Sequence, residues 1–283
     1  MNDKFSNTKG VNVLNKKHIM TIATVLIILL GSFLTFTPSS KVKSNQLAGI
    51  PTIFIHGYKG TYNSFANMLK RLEEDNGWGE KVLLYKVTKE GKIRVVQTGS
   101  KNADPAYIQV VLENNRASFE DSAKWLSHVL AHLKENYDVH RVNLVGHSMG
   151  GIIALKYIME YQDNEKFPQT SKLITLGSPF DGIYSKEYFR IHRDAAAIDL
   201  MPDSAALNIL RTNKKAFPSH IKVLSIGSTG DFIAVPESVE SIKDIVSTNH
   251  LQQIMIEDDS LGHSALHENK KIDKIVFDYL YGE

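Results

Sequence analysis

A chain of 283 residues with 42% apolar, 9% aromatic and 23% charged residues holds enough material for one large core, which excludes a disordered chain. Its net charge of +2 is set at the start, where Lys4, Lys9, Lys16 and Lys17 stand against Asp3; the 29 basic and 30 acidic residues that follow exclude the strongly cationic balance of a nucleic-acid binder. Cysteine is absent, so disulfides, thiolate metal sites and lipid attachment through cysteine are excluded, and any catalysis rests on oxygen, nitrogen or a metal held by His and carboxylates.

In chain order, the first element is the uncharged run Ile19–Thr37, IMTIATVLIILLGSFLTFT. As a helix it would measure roughly 28 Å, close to the hydrocarbon thickness of a bilayer. Four lysines precede it, whereas only Lys41 and Lys43 follow closely, a bias that predicts the N-terminus inside and the remainder exported. TPSS at Thr37–Ser40 offers small residues but no A-x-A site, so a cleaved signal peptide and a retained anchor both stay open. The reading is therefore a signal or anchor segment with its linker over residues 1–47, which brings a membrane as partner, and a folded body over 48–283.

Within the body, strands alternate with helices. IPTIFI (Ile50–Ile55) reads as a strand ending in HGYKG, and Phe65, Met68, Leu69 and Leu72 mark a helix over Ser64–Glu74. Lys81–Gln97 reads as a hairpin around KEGK, and YIQVVL (Tyr107–Leu112) as a further strand. Ser118 with Asp121 three residues on opens a helix to about Tyr137, whose Leu126, Val129, Leu130 and Leu133 share one side. Strands follow at Arg141–Val145, Leu173–Leu176 and Ile221–Ile226, and the last helix spans about Lys271–Tyr281. The 180–218 stretch is too long for a plain crossover and reads as a small cap, with Tyr184, Tyr188, Phe189 and Ile191 as candidate acyl-pocket residues or simple cap packing. This alternation predicts an α/β fold, a mostly parallel sheet covered on both faces, with its site beyond the carboxyl ends of the strands.

The stretch VNLVGHSMGG (Val142–Gly151) places one serine between a strand and a helix with no turn residues to spare. A nucleophile that must stand clear of a sheet needs such a sharp turn, and Gly146 and Gly150 relieve its crowding because they lack Cβ. The turn aims Ser148 along the start of a helix, whose free N–H groups favour developing negative charge. Two N–H donors for an oxyanion are expected, from Tyr58 in HGYKG and from Met149, while the His56 side chain serves its own backbone. Asp231, directly after a strand, is the expected orienting acid, with Glu237 and Asp199 as weaker substitutes.

Taken together, HGYKG, GHSMGG, LGSPFDG, the post-strand GD and the late GHSALHEN resemble the α/β-hydrolase superfamily, and more narrowly the exported lipase-like hydrolases of Gram-positive bacteria filed as a domain of unknown function. The likeness covers about Ala48–Gly282, with the hairpin near 81–97 as an addition. It implies the α/β-hydrolase fold with Ser148 as nucleophile, Asp231 as acid and His263 as base, acting through an acyl-enzyme without cofactor or metal. Among the two late histidines, His263 follows Gly262 in a run of turn residues, while His267 is expected beyond a turn capped by Ser264, its ring pointing away from the neighbours of His263. The metal-like pair His128/His132 lies opposite the apolar stripe, lacks the glutamate of H-E-x-x-H and is expected to face solvent, and His263/His267 shows no third ligand. The implied activity is hydrolysis of small-molecule or lipid carboxylic esters. A thioesterase, acyltransferase or peptidase would use the same three groups, and an idle scaffold acting as a surface-binding protein would keep the fold without the chemistry.

Overall fold

The computed structural model describes residues 45–282. The Ile19–Thr37 run and its expected role lie outside them; among the described residues no helix is long and apolar enough to cross a membrane.

Eight strands form one sheet in the order β3-β2-β4-β1-β5-β6-β7-β8. They are β1 (Thr52–Ile55), β2 (Glu80–Val87), β3 (Ile93–Gln97), β4 (Ala106–Leu112), β5 (Arg141–His147), β6 (Gln169–Leu176), β7 (Lys222–Ser228) and β8 (Leu251–Ile256). Every neighbouring pair is parallel except β2 and β3, the arms of the KEGK hairpin. Parallel strands need crossovers that cover both faces, and the strands accordingly read as apolar runs. On β1, Ile53 and Ile55 point to one face and Phe54 to the other, as the two-residue period requires.

The first face is covered by α2 (Phe119–Tyr137) and α3 (Met149–Tyr161). Helix α2 begins where its capping residues place it: Ser118 Oγ accepts from the Asp121 N–H at 3.1 Å. Its Leu126, Val129, Leu130 and Leu133 are fully buried. On α3 every residue from Met149 to Ile158 is buried, and buried Lys156 is satisfied by Glu120 at 2.7 Å and by Glu160. The opposite face is covered by α1 (Asn63–Lys70), which continues as a wider turn to Asp75, and by α8 (Lys270–Tyr281). Between β6 and β7 run three short helices, α4 (Lys186–Ile191), α5 (Ala195–Asp199) and α6 (Ala205–Thr212), and α7 (Pro236–Glu240) follows β7.

Two expectations change. The sequence reading passes over β8, because LQQIMI lies at the sheet edge with no fully buried residue and so carries no burial alternation. His132 does not face solvent: its Nδ1 lies 2.9 Å from the Tyr85 hydroxyl and its ring packs against Tyr85 and Tyr137. The apolar stripe of α2 is wider than four leucine and valine positions, and the tyrosine of β2 claims its flank. His128 is exposed.

Candidate active site

β5 ends at His147 and α3 begins at Met149, so Ser148 alone makes the turn, with φ 56° and ψ −129°. A non-glycine residue in this region costs about 1–3 kcal/mol and persists only where its surroundings over-determine it. Here the Ser148 N–H donates to the Leu176 carbonyl at 2.8 Å, and the Ser148 carbonyl accepts from the Gly151 N–H at 3.0 Å. The flanking glycines act by close approach. A Cβ on Gly146 would collide with the backbone of Gly150 and Gly151, and one on Gly150 with the Ile55 carbonyl of β1.

Asp231 lies three residues past β7 and is fully buried. Its Oδ1 accepts from the N–H groups of Ile233 and Ala234, both at 2.9 Å, and its Oδ2 lies 2.7 Å from His263 Nδ1. A carboxylate held by two backbone donors and one imidazole has a fixed orientation, and its contact assigns the imidazole proton to Nδ1, leaving Nε2 as acceptor. Both groups meet the Ser148 turn at Gly177, the residue after the Leu176 that bonds the Ser148 N–H. A Cβ there would lie 3.0 Å from Asp231 Oδ2 and 3.4 Å from His263 Nδ1. The weaker substitutes are committed elsewhere. Asp199 Oδ2 accepts from the Phe119 N–H at 2.7 Å, capping α2, and Glu237 is exposed on α7.

The HGYKG loop passes over the same point. A Cβ on Gly57 would lie 2.7 Å from Ser148 Cβ and 3.3 Å from Met149 N. Met149 is the first residue of its helix, where an N–H has no intrahelical acceptor, and among the described residues the Tyr58 N–H has none either. His56 serves the backbone as expected, with Nδ1 2.9 Å from the Gly57 carbonyl and Nε2 accepting from the Leu112 N–H at 2.9 Å. The Tyr58 side chain reaches the opposite way, donating to Asp194 Oδ2 at 2.6 Å and packing on Tyr188 and His192. Tyr188 packs in turn on Phe189, so these two candidate pocket residues join the loop to α4. Tyr184 is 45% exposed and donates to Asp181 at 2.6 Å, which places it at the surface.

Two histidines surround the pair that the sequence reading did not connect. The His147 ring lies 4.7 Å from that of His263 and 4.5 Å from that of His267, and its Nε2 is 3.0 Å from the His263 carbonyl. The expected divergence of His267 is therefore corrected. His263–His267 is a short 3₁₀ segment, begun by Gly262 without a side-chain cap from Ser264, and the His147 ring contacts both of its histidines. Arg71 anchors this turn from α1, donating to the His267 carbonyl at 2.9 Å while bound to buried Asp273.

Burial, then the neighbouring His263 and His267, holds the His147 pKa well below its ordinary 6.5, and burial also lowers those of His56 and His267. The unfolded chain therefore binds protons that these rings refuse when folded. Their contribution to stability is complete above pH 6.5 and is lost as pH falls below it. Chemical denaturation across that range should show stability falling by up to about 1.4 kcal/mol per pH unit for each such histidine. A flat profile between neutral and mildly acid pH would show that they protonate freely in the fold.

A family model described as "Alpha/beta hydrolase of unknown function (DUF915)" matches residues 39–283. A crystal structure of a gene product of Listeria innocua superposes with a TM-score of 0.67 at 24% identity, covering 83% of this chain and 94% of that one. A Lactobacillus plantarum WCFS1 protein assigned as a cell surface hydrolase gives 0.64 at 20%, over 83% and 92%. A Yarrowia lipolytica protein assigned as GPI inositol-deacylase C is 25% identical over 218 residues, 72% of this chain. The matched region spans only 22% of that relative's length.

Proposed function

Because the chain belongs to this family of α/β-hydrolases, we propose that it is an exported serine hydrolase that cleaves carboxylic esters through an acyl-enzyme. The observation that carries the reading is the Asp231–His263 contact at 2.7 Å beside a serine held at φ 56° between strand and helix. In this reading His263 Nε2 takes the Ser148 Oγ proton as Oγ attacks the ester carbonyl carbon. Asp231 holds the ring and stabilises its charge. The tetrahedral oxyanion accepts from the N–H groups of Met149 and Tyr58. Collapse breaks the C–O bond to the alcohol, which leaves with the proton from His263, and water repeats the sequence on the acyl-enzyme to release the acid.

An acyl group of apolar character is supported by Tyr188 and Phe189 beside the Tyr58 loop, and by two exposed apolar residues on neighbouring segments, Phe232 at 78% next to Asp231 and Ile191 at 65% at the end of α4. The name of the Yarrowia relative, a deacylase, is in keeping with acyl-ester chemistry. Export is supported by the lysine bias around the uncharged Ile19–Thr37 run.

A membrane-impermeant fluorophosphonate applied to intact cells tests both halves at once. Labelling before lysis, at Ser148, is the expected result. Labelling only after lysis would remove export and keep the hydrolase, and no labelling in either state would remove the serine hydrolase. An ester chain-length panel on the purified protein then identifies the acyl preference.

A further inference from the structure

A second cleft lies at the other end of the sheet. Arg141 opens β5, Thr170, Ser171 and Lys172 stand near the start of β6, and Lys222 opens β7; with His220 they line a cleft of about 440 Å³. The catalytic candidates sit at the carboxyl ends of these strands, a strand length of roughly 20 Å away, so this cleft is no part of the ester site.

Its charge is one-sided. No carboxylate lines it, and among the described residues none pairs with Arg141, Lys172, His220 or Lys222. Lys172 and Lys222 are direct cross-strand partners, an arrangement of like charges that destabilises a sheet unless something compensates it. Lys172 cannot swing away, because its Nζ donates to the carbonyls of Tyr279 and Leu280 at 2.8 and 2.7 Å, at the end of α8. Burial and then Lys222 lower its pKa, the direction expected of a cation held without a counter-charge. Among the described residues Arg141 spends only Nε, on Ser171 Oγ at 3.2 Å, which leaves both terminal nitrogens in the geometry that forks two oxygens of one anion. Thr170, at 1% exposure, has a hydroxyl with no partner among the described residues. Asp104 lines the adjoining cleft, which shares Arg141, Ser171 and Lys172 with this one, but it forms no ion pair with either cation.

We propose that this cleft is a binding site for a phosphate ester, separate from the hydrolase site. Its dianion or monoanion would be forked by Arg141 and neutralised by the Lys172–Lys222 pair. The full-length protein in neutral detergent, at fixed pH and ionic strength, is titrated calorimetrically with inorganic phosphate and with glycerol 3-phosphate. A parallel arm presents phosphatidylglycerol in bicelles, with phosphatidylcholine bicelles as reference. Saturable binding is expected, weakened at least tenfold by the double variant Arg141→Gln/Lys222→Gln and unchanged by Lys89→Gln/Lys124→Gln, which removes the same charge elsewhere. Without phosphate the Lys222→Gln single variant should melt at or above the wild-type temperature, because it relieves the cross-strand repulsion. Binding of the free anions identifies a soluble phosphoester, and binding confined to phosphatidylglycerol bicelles identifies a lipid headgroup. Absence of saturable binding in both arms, or equal weakening by the remote double variant, overturns the site. Ester hydrolysis by the double variant should stay at the wild-type rate, so failure here leaves the hydrolase reading untouched.

Discussion

Ser148→Ala should lower kcat on an activated ester by about 10⁴ to 10⁶ while leaving the thermal midpoint near wild type. That loss corresponds to roughly 5.5–8 kcal/mol of transition-state stabilisation. The two halves of the expectation have different sources. Alanine keeps the Cβ, so the backbone cost of φ 56° is the same in both proteins, and the bonds that hold the turn, from the Ser148 N–H to Leu176 and from Gly151 to the Ser148 carbonyl, are main-chain. Only Oγ is removed, and with it the atom that would carry the acyl group. What remains are the N–H groups of Met149 and Tyr58, the proposed oxyanion donors, which would account for a residual rate above the uncatalysed reaction. A variant that hydrolyses the ester at near the wild-type rate would take Ser148 out of the mechanism, whatever its geometry.

Features governed by neighbours in sequence were legible from the residues. The elbow is one, since a Cβ on Gly146 would meet Gly150 and Gly151 within the same turn, although Gly150 answers to Ile55 of the distant β1; the capping of α2 by Ser118 is another. The position of Asp231 was legible because a residue just past a parallel strand is already at the edge where ligands bind. What could not be read depends on partners far along the chain. His147 and His263 are 116 residues apart, and Arg71 and the His267 carbonyl 196; nothing in GHS or HSALH announces either contact. Asp199 was a reasonable acid by composition alone, but it caps α2 from 80 residues away. The edge strand β8 was missed for the opposite reason: half exposed and carrying Gln252 and Gln253, it has too little burial to show a pattern. The segment α4 to α6, from which the proposed acyl-pocket residues come, was the least legible, because its helices are short and carry few buried residues.

The two late histidines should separate by what they lose. His263→Ala removes the ring that Asp231 holds at 2.7 Å, and kcat should fall by about 10⁴ or more, since the base and its orienting acid act as a unit with the nucleophile. Its side chain is 17% exposed, so the fold should tolerate the change. His267 stands differently. Its ring packs on Phe65 and on His147, and Glu268 Oε1 at 3.5 Å is an electrostatic neighbour rather than a hydrogen-bond partner, which leaves Nδ1 buried without one among the described residues. His267→Ala should therefore cost about 0.5–3 kcal/mol of stability as a core truncation. It should leave kcat within about tenfold of wild type, the residual effect passing through His147, whose Nε2 contacts the His263 carbonyl. The measurement is kcat on one activated ester for both variants beside their denaturation midpoints. If His267→Ala loses several orders of magnitude while His263→Ala stays active, the base is misassigned, and Asp231 loses its claim as the acid with it.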